Sequence, residues 1–586
     1  MTNADVARVF AEIADLLEIQ GGDSFRVSSY RRVSRAIDDL VRDISAVEAA
    51  GELEQIPGVG HSSAEKIREL LTTGHVAIRE QLAREVPISL LELLRIPGLG
   101  PKKAAVLWKE RGITSLADLK QAIRTGALAN LKGFAQKTID HMREGLEFLE
   151  RTAGRTRLGD AWPIAHAVRE AVLAMPGVSR AEHAGSLRRG CETIGDLDLL
   201  CAAEDGPEVV QRFTQMKGVT RVLAAGDTKG SVLMRVDNDR DIQIDLRVVP
   251  ADSFGAAWQY FTGSKAHNVR LRELAVRRGW TLNEYALADA KTNKVIAARD
   301  EEEIYRALEL PCFPPELRED RFEFELGRVP EDLLAPEHIR GELHCHTTAS
   351  DGRESIEQMA AAAKARGYAY LCITDHSVSS VIANGLSVER LVQHVEAVRR
   401  AAKKVKGLAL WVGAEVDVRA DGSLDYPDDV LAQLDFVVAS LHVGLSQDAE
   451  ANTRRTLAAI RNPYVNLIAH PTGRLINRRD AAPLDVAAVA REAARTGTAL
   501  EINANYLRLD LKDMHAREAR ACGALLCINC DAHDGASFDQ MRFGVMTARR
   551  AGLRSSDVLN TRSAEEVADF VRRKRAAAAG ASRRSS

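Results

Sequence analysis

Hydrophobic and polar residues follow three different patterns along the chain. At the start, apolar residues recur at helical spacing, which predicts helices over residues 1–80. Around residues 196–199 and 240–248, apolar and polar residues alternate, which predicts half-buried strands. From Gly341 onwards, apolar runs that end in His, Asp or Glu alternate with helical segments. That last order is typical of a β/α barrel with polar residues at its strand ends.

The two alternating stretches place three carboxylates on strand faces. Asp196 and Asp198 share one face of the first strand, and Asp245 lies on the polar face of the second. Neighbouring acids raise each other's pKa unless a cation lies between them, and oxygen ligands suit Mg²⁺ or Mn²⁺. Upstream, residues 185–189 (Gly-Ser-Leu-Arg-Arg) offer close backbone approach, a hydroxyl and two cations. The pattern predicts a polyphosphate site beside a two-metal site, as in-line phosphoryl transfer requires.

Residues 185–200 resemble the nucleotidyltransferase signature of family X DNA polymerases, the group that contains DNA polymerase beta. The resemblance continues at residues 260–264 (Tyr-Phe-Thr-Gly-Ser) and at residues 268, 272 and 283–285. It implies that Asp196, Asp198 and Asp245 hold two Mg²⁺ (or Mn²⁺) ions. It also implies a set of nucleotide contacts: Ser186, Arg189 and Gly195 to the triphosphate, Tyr260 and Phe261 to the sugar, Asn268 to the minor-groove edge and Arg272 on the template side.

A short motif occurs twice in the first part of the chain. Residues 53–67 (LEQIPGVGHSSAEKI) and 93–106 (LLRIPGLGPKKAAV) both place a Pro and two Gly before a helix. Such a turn presents backbone N–H groups that grip a phosphate without reading a base. It resembles the helix-hairpin-helix motif of DNA-repair proteins, where a monovalent cation often assists. The predicted DNA-backbone contacts are Gly58, Gly60, Gly98 and Gly100. A third version at residues 131–135 lacks the second Gly, and we interpret it as an ordinary turn.

Residues 1–80 also resemble the small lyase domain of polymerase beta. Lys66 falls where that family has its Schiff-base lysine, but Ser62 stands at the position of a second basic residue and Arg26 replaces a lysine. An amine nucleophile needs a depressed pKa in a supportive pocket. Lys66 is also explained as a solvated helix residue, so lyase activity stays an open alternative.

Nine potential metal ligands lie at or just beyond the ends of the apolar runs after residue 341. They are His344, His346, Asp351, His376, Glu415, His442, His470, Asp531 and His533. Imidazole together with carboxylate suits Zn²⁺, Mn²⁺ or Fe²⁺, and such a cluster activates water for phosphoester hydrolysis. The set resembles the PHP (polymerase and histidinol phosphatase) domain, a distorted β/α barrel with a trinuclear site.

By this resemblance the nine ligands divide among three ions of Zn²⁺ or Mn²⁺. The predicted sets are His344, His346, Glu415 and Asp531 for the first ion, Glu415, His442 and His470 for the second, and Asp351, His376 and His533 for the third. Asp375 and Glu501 lie near the site in sequence, where they either orient ligands or are solvated strand ends. Arg474 is a further candidate for binding a phosphate.

Length and composition agree with a chain of several domains. A chain of 586 residues should hold three or more, and a net charge of −3 means that nucleic-acid contacts would come from local basic runs. No apolar stretch approaches the length of a membrane span, and the start shows no signal-peptide pattern, so we expect a cytoplasmic protein without a membrane partner. The eight cysteines are scattered, which predicts reduced thiols. Cys527 and Cys530 have zinc-clip spacing, but we expect both in the core.

The predicted fold is multidomain: helical helix-hairpin-helix domains, an α+β nucleotidyltransferase palm with a thumb, and a C-terminal distorted β/α barrel. The predicted boundaries are residues 1–80 for the lyase-like domain, 81–150 for the fingers, 151–260 for the palm, 261–320 for the thumb, 321–340 for a linker, 341–571 for the PHP domain and 572–586 for a basic disordered tail.

Together the two halves resemble bacterial family X DNA polymerases that carry a PHP module. The resemblance implies a DNA-directed DNA polymerase that fills short gaps in base excision repair, with a 3′→5′ exonuclease and, as an option, cleavage of abasic or blocked 3′ ends. The implied partners are gapped or primer–template DNA and deoxynucleoside triphosphates, and we expect a monomer associated with the nucleoid through DNA. Two alternatives stay open: an untemplated nucleotidyltransferase fused to a small-molecule phosphatase, or an active polymerase with an inert PHP scaffold.

Overall fold

The chain folds into two compact units. The first comprises Met1–Ala153 with Asn477–Arg479, and the second comprises Gly154–Ile476 with Asp480–Ser586. The computed structural model describes residues 1–585 apart from residues 2, 39, 41–43, 57, 95, 97–98, 130, 132, 153 and 238–239. Among the described residues, no helix combines the length and hydrophobicity that crossing a bilayer requires.

The first unit is helical, as the spacing of its apolar residues predicts. Its helices are α1 (Asn3–Gln20), α2 (Ser24–Asp38), α3 (Ile44–Ala49), α4 (His61–Thr73), α5 (Ala77–Glu85), α6 (Leu90–Leu93), α7 (Pro101–Arg111), α8 (Leu116–Thr125) and α9 (Gln136–Thr152). The stripe of α1 formed by Val6, Phe10, Ile13 and Leu17 is at most 3% exposed and belongs to one continuous apolar core.

The second unit begins with the sheet that carries the three predicted acids. The strands of this part are β1 (Thr156–Arg157), β2 (Val178–His183), β3 (Thr193–Ile194), β4 (Asp196–Ala203), β5 (Val219–Ala225), β6 (Lys229–Asp237) and β7 (Arg240–Val249). The short strands β1 and β3 pair only with each other and form a separate two-stranded sheet. The helices between them are α10 (Leu158–Leu173), α11 (Gly185–Arg188) and α12 (Gly206–Thr214). The five longer strands lie in the order β2-β4-β7-β6-β5, and β4 and β7 run parallel whereas the other neighbours are antiparallel. The two strands predicted from alternation are therefore adjacent.

A smaller helical and antiparallel segment follows the sheet. It consists of α13 (Phe254–Thr262), α14 (Lys265–Arg277), the three-stranded sheet β8 (Trp280–Leu282), β9 (Leu287–Asp289) and β10 (Val295–Ala297), and α15 (Glu301–Ala307). Residues 321–340, predicted as a linker, have little regular structure but are packed. Leu334 is fully buried and its backbone N–H donates to Leu553 O at 3.0 Å, and Arg321 pairs with Asp513 at 2.8 Å.

The rest of the unit is the predicted barrel. Seven parallel strands lie side by side in chain order: β11 (Gly341–Cys345), β12 (Tyr370–Ile373), β13 (Ala409–Asp417), β14 (Phe436–Ser440), β15 (Leu467–Ile468), β16 (Ala499–Asn503) and β17 (Leu525–Asn529). The helices are α16 (Ile356–Ala365), α17 (Val388–Lys404), α18 (Asp428–Leu431), α19 (Ala449–Arg461), α20 (Val486–Thr496), α21 (Asp513–Ala521), α22 (Met541–Arg550) and α23 (Ala564–Ser585). The Asn529 side chain accepts from Leu343 N at 3.1 Å, which ties the last strand to the first. Cys527 and Cys530 are free and buried, as predicted.

The basic tail is not disordered where it begins. Helix α23 continues through residues 572–577, and Lys574 is only 5% exposed. Its ammonium group donates to Ile460 O at 3.0 Å, to Val465 O and to Thr498 Oγ1 at 2.5 Å. The prediction of disorder from low complexity was wrong here because three oxygens of the barrel satisfy this lysine.

The barrel packs directly on the first sheet of the second unit. Phe543 of α22, together with Leu509 and Ile476, belongs to the same buried cluster as the apolar side chains of β4 and β7. The Phe543 ring lies 5.9 Å from the Trp162 ring of α10, nearly at right angles. The two parts therefore share a hydrophobic core.

Candidate functional sites

Strand pairing sets the three predicted acids side by side. In the parallel pair β4 and β7, Asp198 lies directly opposite Asp245, and Asp196 lies opposite Gln243. Burial and the charges of Asp196 and Asp245 raise the pKa of Asp198 to about 7. Three carboxylates this close repel one another, so the arrangement fits divalent cations that prefer oxygen ligands.

Asp245 is the most firmly anchored of the three. Its Oδ1 accepts from Ser231 Oγ at 2.5 Å and from Gln243 Nε2 at 3.0 Å, and its Oδ2 lies 3.2 Å from Lys229 Nζ. Burial alone would raise the pKa of Asp245, but these three donors hold it below its ordinary value. Asp245 is therefore held in place and ionised, whereas the raised pKa of Asp198 means that its charge changes near neutral pH.

A cleft of about 590 Å³ opens beside the acids. The predicted residues that line it are Ser186, Arg189, Gly195, Asp196, Asp198, Tyr260, Phe261, Asn268 and Arg272. Asp245 is joined to this wall through its pairing with Asp198. Sequence reasoning missed two further cations of the lining, Arg155 and Lys265, since neither belongs to a motif. Residues 283–285 also belong to the resemblance, but they are not part of the lining.

The turn before β4 brings backbone close to the acids. Gly185 has φ +59°, and a Cβ added there would lie 1.9 Å from Asp198 Oδ2. Only glycine fits this approach. A few residues on, Arg189 donates to Thr262 O at 2.5 Å and pairs with Glu319 at 3.1 Å. Arg189 is therefore held at the cleft wall by groups from two other segments.

Arg188 does not contribute to the cleft. Its guanidinium donates to both oxygens of Glu301, at 2.8 and 2.7 Å, and lies 3.4 Å from the centre of the Trp258 ring. Burial would raise the pKa of Glu301, but Arg318 and Arg188 lower it to about 2. The expectation that both arginines face a polyphosphate was wrong for Arg188, which joins α11 to α15 instead.

Hydrogen bonds fix the orientation of Asn268 at the other wall. Gln259 Nε2 donates to Asn268 Oδ1 at 2.7 Å, and Asn268 Nδ2 donates to Tyr260 O at 2.7 Å. The rings of Tyr260 and Phe261 lie 5.2 Å apart and nearly perpendicular. The cleft thus combines a carboxylate floor, a cationic wall, and an aromatic and amide wall.

The nine predicted metal ligands meet in one cluster at the barrel strand ends. The groups whose ligand atoms lie within 4.8 Å of one another are His346, Asp351, His376 and His533; His344, Glu415 and His470; His344, His346 and Asp531; and His376, Glu415 and His442. These groups are close to the predicted division of the nine ligands among three ions, but they are not identical to it. His346 also approaches the set of Asp351, His376 and His533, and His376 also approaches Glu415 and His442 of the second set.

Glu415 lies at the centre of the cluster. Its Oε1 lies 3.0 Å from His470 Nε2 and 3.4 Å from His442 Nε2, and its Oε2 lies 2.8 Å from His376 Nδ1 and 3.5 Å from His344 Nε2. Burial would raise the pKa of Glu415, but the surrounding histidines hold it well below its ordinary value. Both oxygens of this one ionised carboxylate would therefore be available to hold cations.

Several buried polar atoms of the cluster make no well-aligned hydrogen bond among the described residues. They are His344 Nε2, His346 Nδ1, His376 Nδ1, His470 Nδ1 and Glu415 Oε2. A buried polar atom without a well-aligned hydrogen bond costs free energy, and a cluster of such atoms is better explained if the site holds cations. The donor set of imidazole nitrogens and carboxylate oxygens fits Zn²⁺ or Mn²⁺.

Residues around the cluster orient its ligands. Glu501 Oε1 lies 2.8 Å from His344 Nδ1, and Asp417 Oδ1 lies 2.9 Å from His442 Nδ1. Asp375 accepts from the Thr347 and Ser350 backbone at 2.9 and 3.2 Å and so holds the loop that leads to Asp351. Glu501 and Asp375 therefore have orienting contacts. Asp417 was missed, although its place two residues after Glu415 on one strand face is visible in the sequence.

Comparison with known proteins agrees with both sites. Residues 1–76 match a helix-hairpin-helix domain, 90–147 a SAM-like helix-hairpin-helix tandem, 257–319 the DNA polymerase beta thumb and 342–505 the PHP domain. The chain is 36% identical over 573 residues to the DNA polymerase/3′-5′ exonuclease PolX of Bacillus subtilis. This alignment covers 98% of this chain and 100% of that protein.

The chain belongs to the family X DNA polymerases.

Two further relatives each resemble one part of this family X polymerase. DNA polymerase lambda of Rattus norvegicus is 28% identical over 342 residues, which is 54% of this chain and 56% of that protein. A probable phosphatase of Thermoanaerobacter sp. is 30% identical over 245 residues, which is 40% of this chain and 94% of that protein.

The first unit of the family X polymerase contains three similar turns, not two. The equivalent backbone N–O pairs are Val59–Ile56, Leu99–Ile96 and Phe134–Leu131, each at 3.0 Å. Gly58 and Gly133 both have positive φ, +92° and +87°, while Gly98 lies outside the described residues. Since the tandem match also spans residues 90–147, the interpretation of the third turn as ordinary was wrong. Gly60 and Gly100 lie directly before α4 and α7.

Lys66 and Arg474 each have partners within the protein, and these partners account for their positions without a catalytic or phosphate-binding role. Lys66 Nζ is exposed and donates to Ser62 O at 3.1 Å and to Ser62 Oγ at 2.8 Å. Arg474 is 8% exposed, pairs with Glu192 at 2.8 Å and donates to Leu509 O. These partners account for the position of Arg474, and the phosphate role expected for it stays a prediction.

Proposed function

We propose that this family X polymerase fills short gaps in DNA during base excision repair and that its barrel removes nucleotides from 3′ ends. The single observation that carries the first activity is the parallel pairing of Asp198 with Asp245 beside a cleft lined by Ser186 and Arg189. The similarity to a protein named DNA polymerase/3′-5′ exonuclease supports both activities. The similarity to polymerase lambda supports the polymerase reaction further.

In the cleft, the side chains of the chain would bind and orient the nucleotide. Ser186 and Arg189 would hold the triphosphate with Gly195, since a hydroxyl and a guanidinium donate to several phosphate oxygens at once. The aromatic rings of Tyr260 and Phe261 would contact the sugar. Mg²⁺ or Mn²⁺ held by the three acids would supply the charge that activates the primer hydroxyl and neutralises the leaving pyrophosphate.

Base contacts and backbone contacts would come from different places. Asn268, held by Gln259 and by Tyr260 O, would read the minor-groove edge of the incoming nucleotide, and Arg272 would touch the template side. The hairpin glycines, Gly58, Gly60, Gly98 and Gly100, would grip the DNA backbone, with a monovalent cation as the proposed helper. Such contacts are independent of sequence, as a repair polymerase requires.

In the barrel, the nine clustered ligands support hydrolysis of a phosphodiester. Zn²⁺ or Mn²⁺ held by the nine side chains would supply activation of water and neutralisation of phosphate charge. Glu501 and Asp417 would keep His344 and His442 in the tautomer and orientation that a ligand needs. Cleavage at abasic sites or of blocked 3′ ends is a proposed extension of the same chemistry.

The similarity to a probable phosphatase favours a second candidate for the barrel. A match that covers 94% of that protein is compatible with action on a small phosphate ester rather than on DNA. The polymerase part argues for DNA, because a gap-filling enzyme delivers 3′ ends to the same chain. An inert barrel is the third candidate, although the buried polar atoms of the cluster that lack well-aligned hydrogen bonds make a purely structural role costly in free energy.

Two variants tested on one substrate separate these candidates. The substrate is a primer with a one-nucleotide gap, incubated with Mg²⁺ or Mn²⁺, with and without deoxynucleoside triphosphates. Asp198→Ala should slow primer extension by about a thousandfold and keep 3′ degradation. His344→Ala should keep primer extension and lose 3′ degradation. Asp241→Ala, on strand β7 but outside the cleft lining, is the matched control and should retain both.

Three outcomes would contradict parts of the proposal. Addition to the primer that ignores the template base would favour an untemplated transferase. Hydrolysis of a small ester without degradation of DNA would favour a phosphatase, and degradation unchanged in His344→Ala would favour an inert barrel. Metal analysis of the same preparations would identify the bound ions. We also propose a monomer that acts in the cytoplasm on nucleoid DNA, which light scattering and cell imaging would check.

A further inference from the structure

We infer that Arg550 of the barrel is a positioning residue for the nucleotide site of the polymerase, acting through Glu319 and Arg189. The inference rests on the proposed role of Arg189 in binding the triphosphate. It gives the barrel a second role, because the barrel would complete the wall of the polymerase cleft in addition to performing its own chemistry.

Arg550 is buried and joins two groups that define the position of Arg189. Its Nη1 donates to Arg189 O at 2.8 Å and to Glu319 Oε1 at 2.8 Å. The same Glu319 oxygen lies 3.1 Å from Arg189 Nε. Only 8% of Arg550 is exposed, so water competes little for these bonds. Arg550 thus contacts both the backbone and the side-chain partner of a cleft residue.

The charges around Glu319 show why Arg550 matters. One carboxylate oxygen serves two guanidinium groups, and Asp513 Oδ2 holds the other side of Arg550 at 3.0 Å. If Arg550 were absent, Glu319 would have Arg189 as its main cationic partner. A tighter pair would draw the Arg189 side chain away from the cleft, where its Nη1 now donates to Thr262 O.

The backbone packing supports the same assignment. Met546 and Arg550 are four residues apart on α22 and therefore share one face of this helix. Gly190 has φ +64°, and a Cβ there would lie 3.0 Å from Met546 Cβ. The residue after Arg189 is therefore pressed against the same helix face that carries Arg550, so both side chain and backbone of the turn are set by α22.

The neighbouring Arg549 provides a matched control within the chain. Its Nε donates to Glu316 Oε1 at 2.9 Å and its Nη1 to Leu334 O at 2.8 Å, and neither partner contacts Arg189. Arg549→Gln therefore removes a guanidinium from the same helix turn without touching the proposed linkage. Differences between the two variants report the linkage rather than a general loosening of α22.

The test measures steady-state extension of gapped DNA by the full chain. Arg550→Gln should raise the KM for the deoxynucleoside triphosphate about tenfold with a smaller change in kcat, since a ground-state contact is weakened. Arg550→Lys keeps the charge and should recover part of the loss, and Arg549→Gln should leave the KM within about twofold. Degradation of single-stranded DNA in the same preparations should stay at the wild-type rate, which shows that the barrel is folded.

A double variant completes the experiment. Glu319→Gln with Arg550→Gln removes the unbalanced carboxylate and should restore much of the nucleotide affinity. A KM in Arg550→Gln equal to that in Arg549→Gln would overturn the inference. The Arg189→Ala variant distinguishes failure of this inference from failure of the proposed function. If Arg189→Ala leaves the KM for the deoxynucleoside triphosphate unchanged, the proposed role of Arg189 in binding the triphosphate is refuted. If Arg189→Ala raises this KM but Arg550→Gln does not, only the linkage through Glu319 is refuted.

Discussion

Replacing Asp198 by asparagine should stabilise the metal-free protein at neutral and alkaline pH while it abolishes polymerase activity. In the folded protein the pKa of Asp198 is raised to about 7, because it is buried beside Asp196 and Asp245. In the unfolded chain its pKa is about 3.9. The folded state therefore keeps a proton that the unfolded state has lost, so the stability from this group is present at low pH and disappears as the pH rises to 7.

The shift sets the size of the effect. About three units of pKa at about 1.36 kcal/mol each give an upper limit of about 4 kcal/mol at pH 8, and the partly exposed side chain reduces this to about 2–3 kcal/mol. The neutral amide of the Asp198→Asn variant would not carry this penalty. For a unit of this length, about 1 kcal/mol moves the Tm by about 1 °C, so the expected gain is about 2–3 °C.

The assay is thermal unfolding in a chelator at pH 8 and pH 5, followed by a repeat with excess Mg²⁺. The gain in Tm should shrink at pH 5, where wild-type Asp198 is already protonated, and with Mg²⁺, which favours the wild-type carboxylate. Asp241→Asn is the control, and it should lower the Tm at pH 8 instead of raising it. A hydrogen bond from Thr220 and the charge of Arg235 lower the pKa of Asp241, so its carboxylate stabilises the folded protein. A Tm for Asp198→Asn that is unchanged at pH 8, or raised equally at both pH values, would refute the reasoning.

Three further predictions concern other parts of the chain. Gly58→Ala should destabilise the first unit by about 1 kcal/mol or more and weaken binding of gapped DNA, because φ is +92° there; Gly60→Ala, at φ −91° and with open space around it, should keep the stability in urea unfolding. Borohydride should trap no covalent adduct between abasic DNA and Lys66, and an adduct that is absent in Lys66→Ala would contradict this. Lys574→Ala should lower the free energy of unfolding by about 2–3 kcal/mol and speed trypsin cleavage of α23, whereas the exposed Arg573→Ala should do neither.

The alternation of residues predicted much of the first site but not its assembly. It assigned Asp198 and Asp245 to polar strand faces, which the structure confirms, yet the parallel register that sets them opposite each other depends on long-range pairing. Arg188 and Arg189 show the limit of local reasoning. They are adjacent and chemically identical, and their different directions are decided by Glu301 and Glu319, more than 100 residues away in the chain.

The wrong predictions have physical reasons. The third hairpin was dismissed because Ala135 replaces a glycine, but the turn depends on backbone hydrogen bonds that alanine also makes. The tail was judged by composition, which does not reveal that Lys574 meets three oxygens of the barrel. The barrel ligands were found because each lies at or near the end of an apolar run. Asp417 is the last residue of β13 and was passed over, although it lies two residues after Glu415 on the same strand face.

Phe543, Leu509 and Ile476 make the two enzymes of this chain inseparable by simple truncation. A fragment cut near residue 340 would present a bare apolar surface around Trp162 to water, and it would be prone to aggregate. Inactivity of such a fragment would report its collapse and would say nothing about cooperation between synthesis and degradation. The same contact also constrains evolution, because a lineage that discarded the barrel would first have to replace this surface with polar residues.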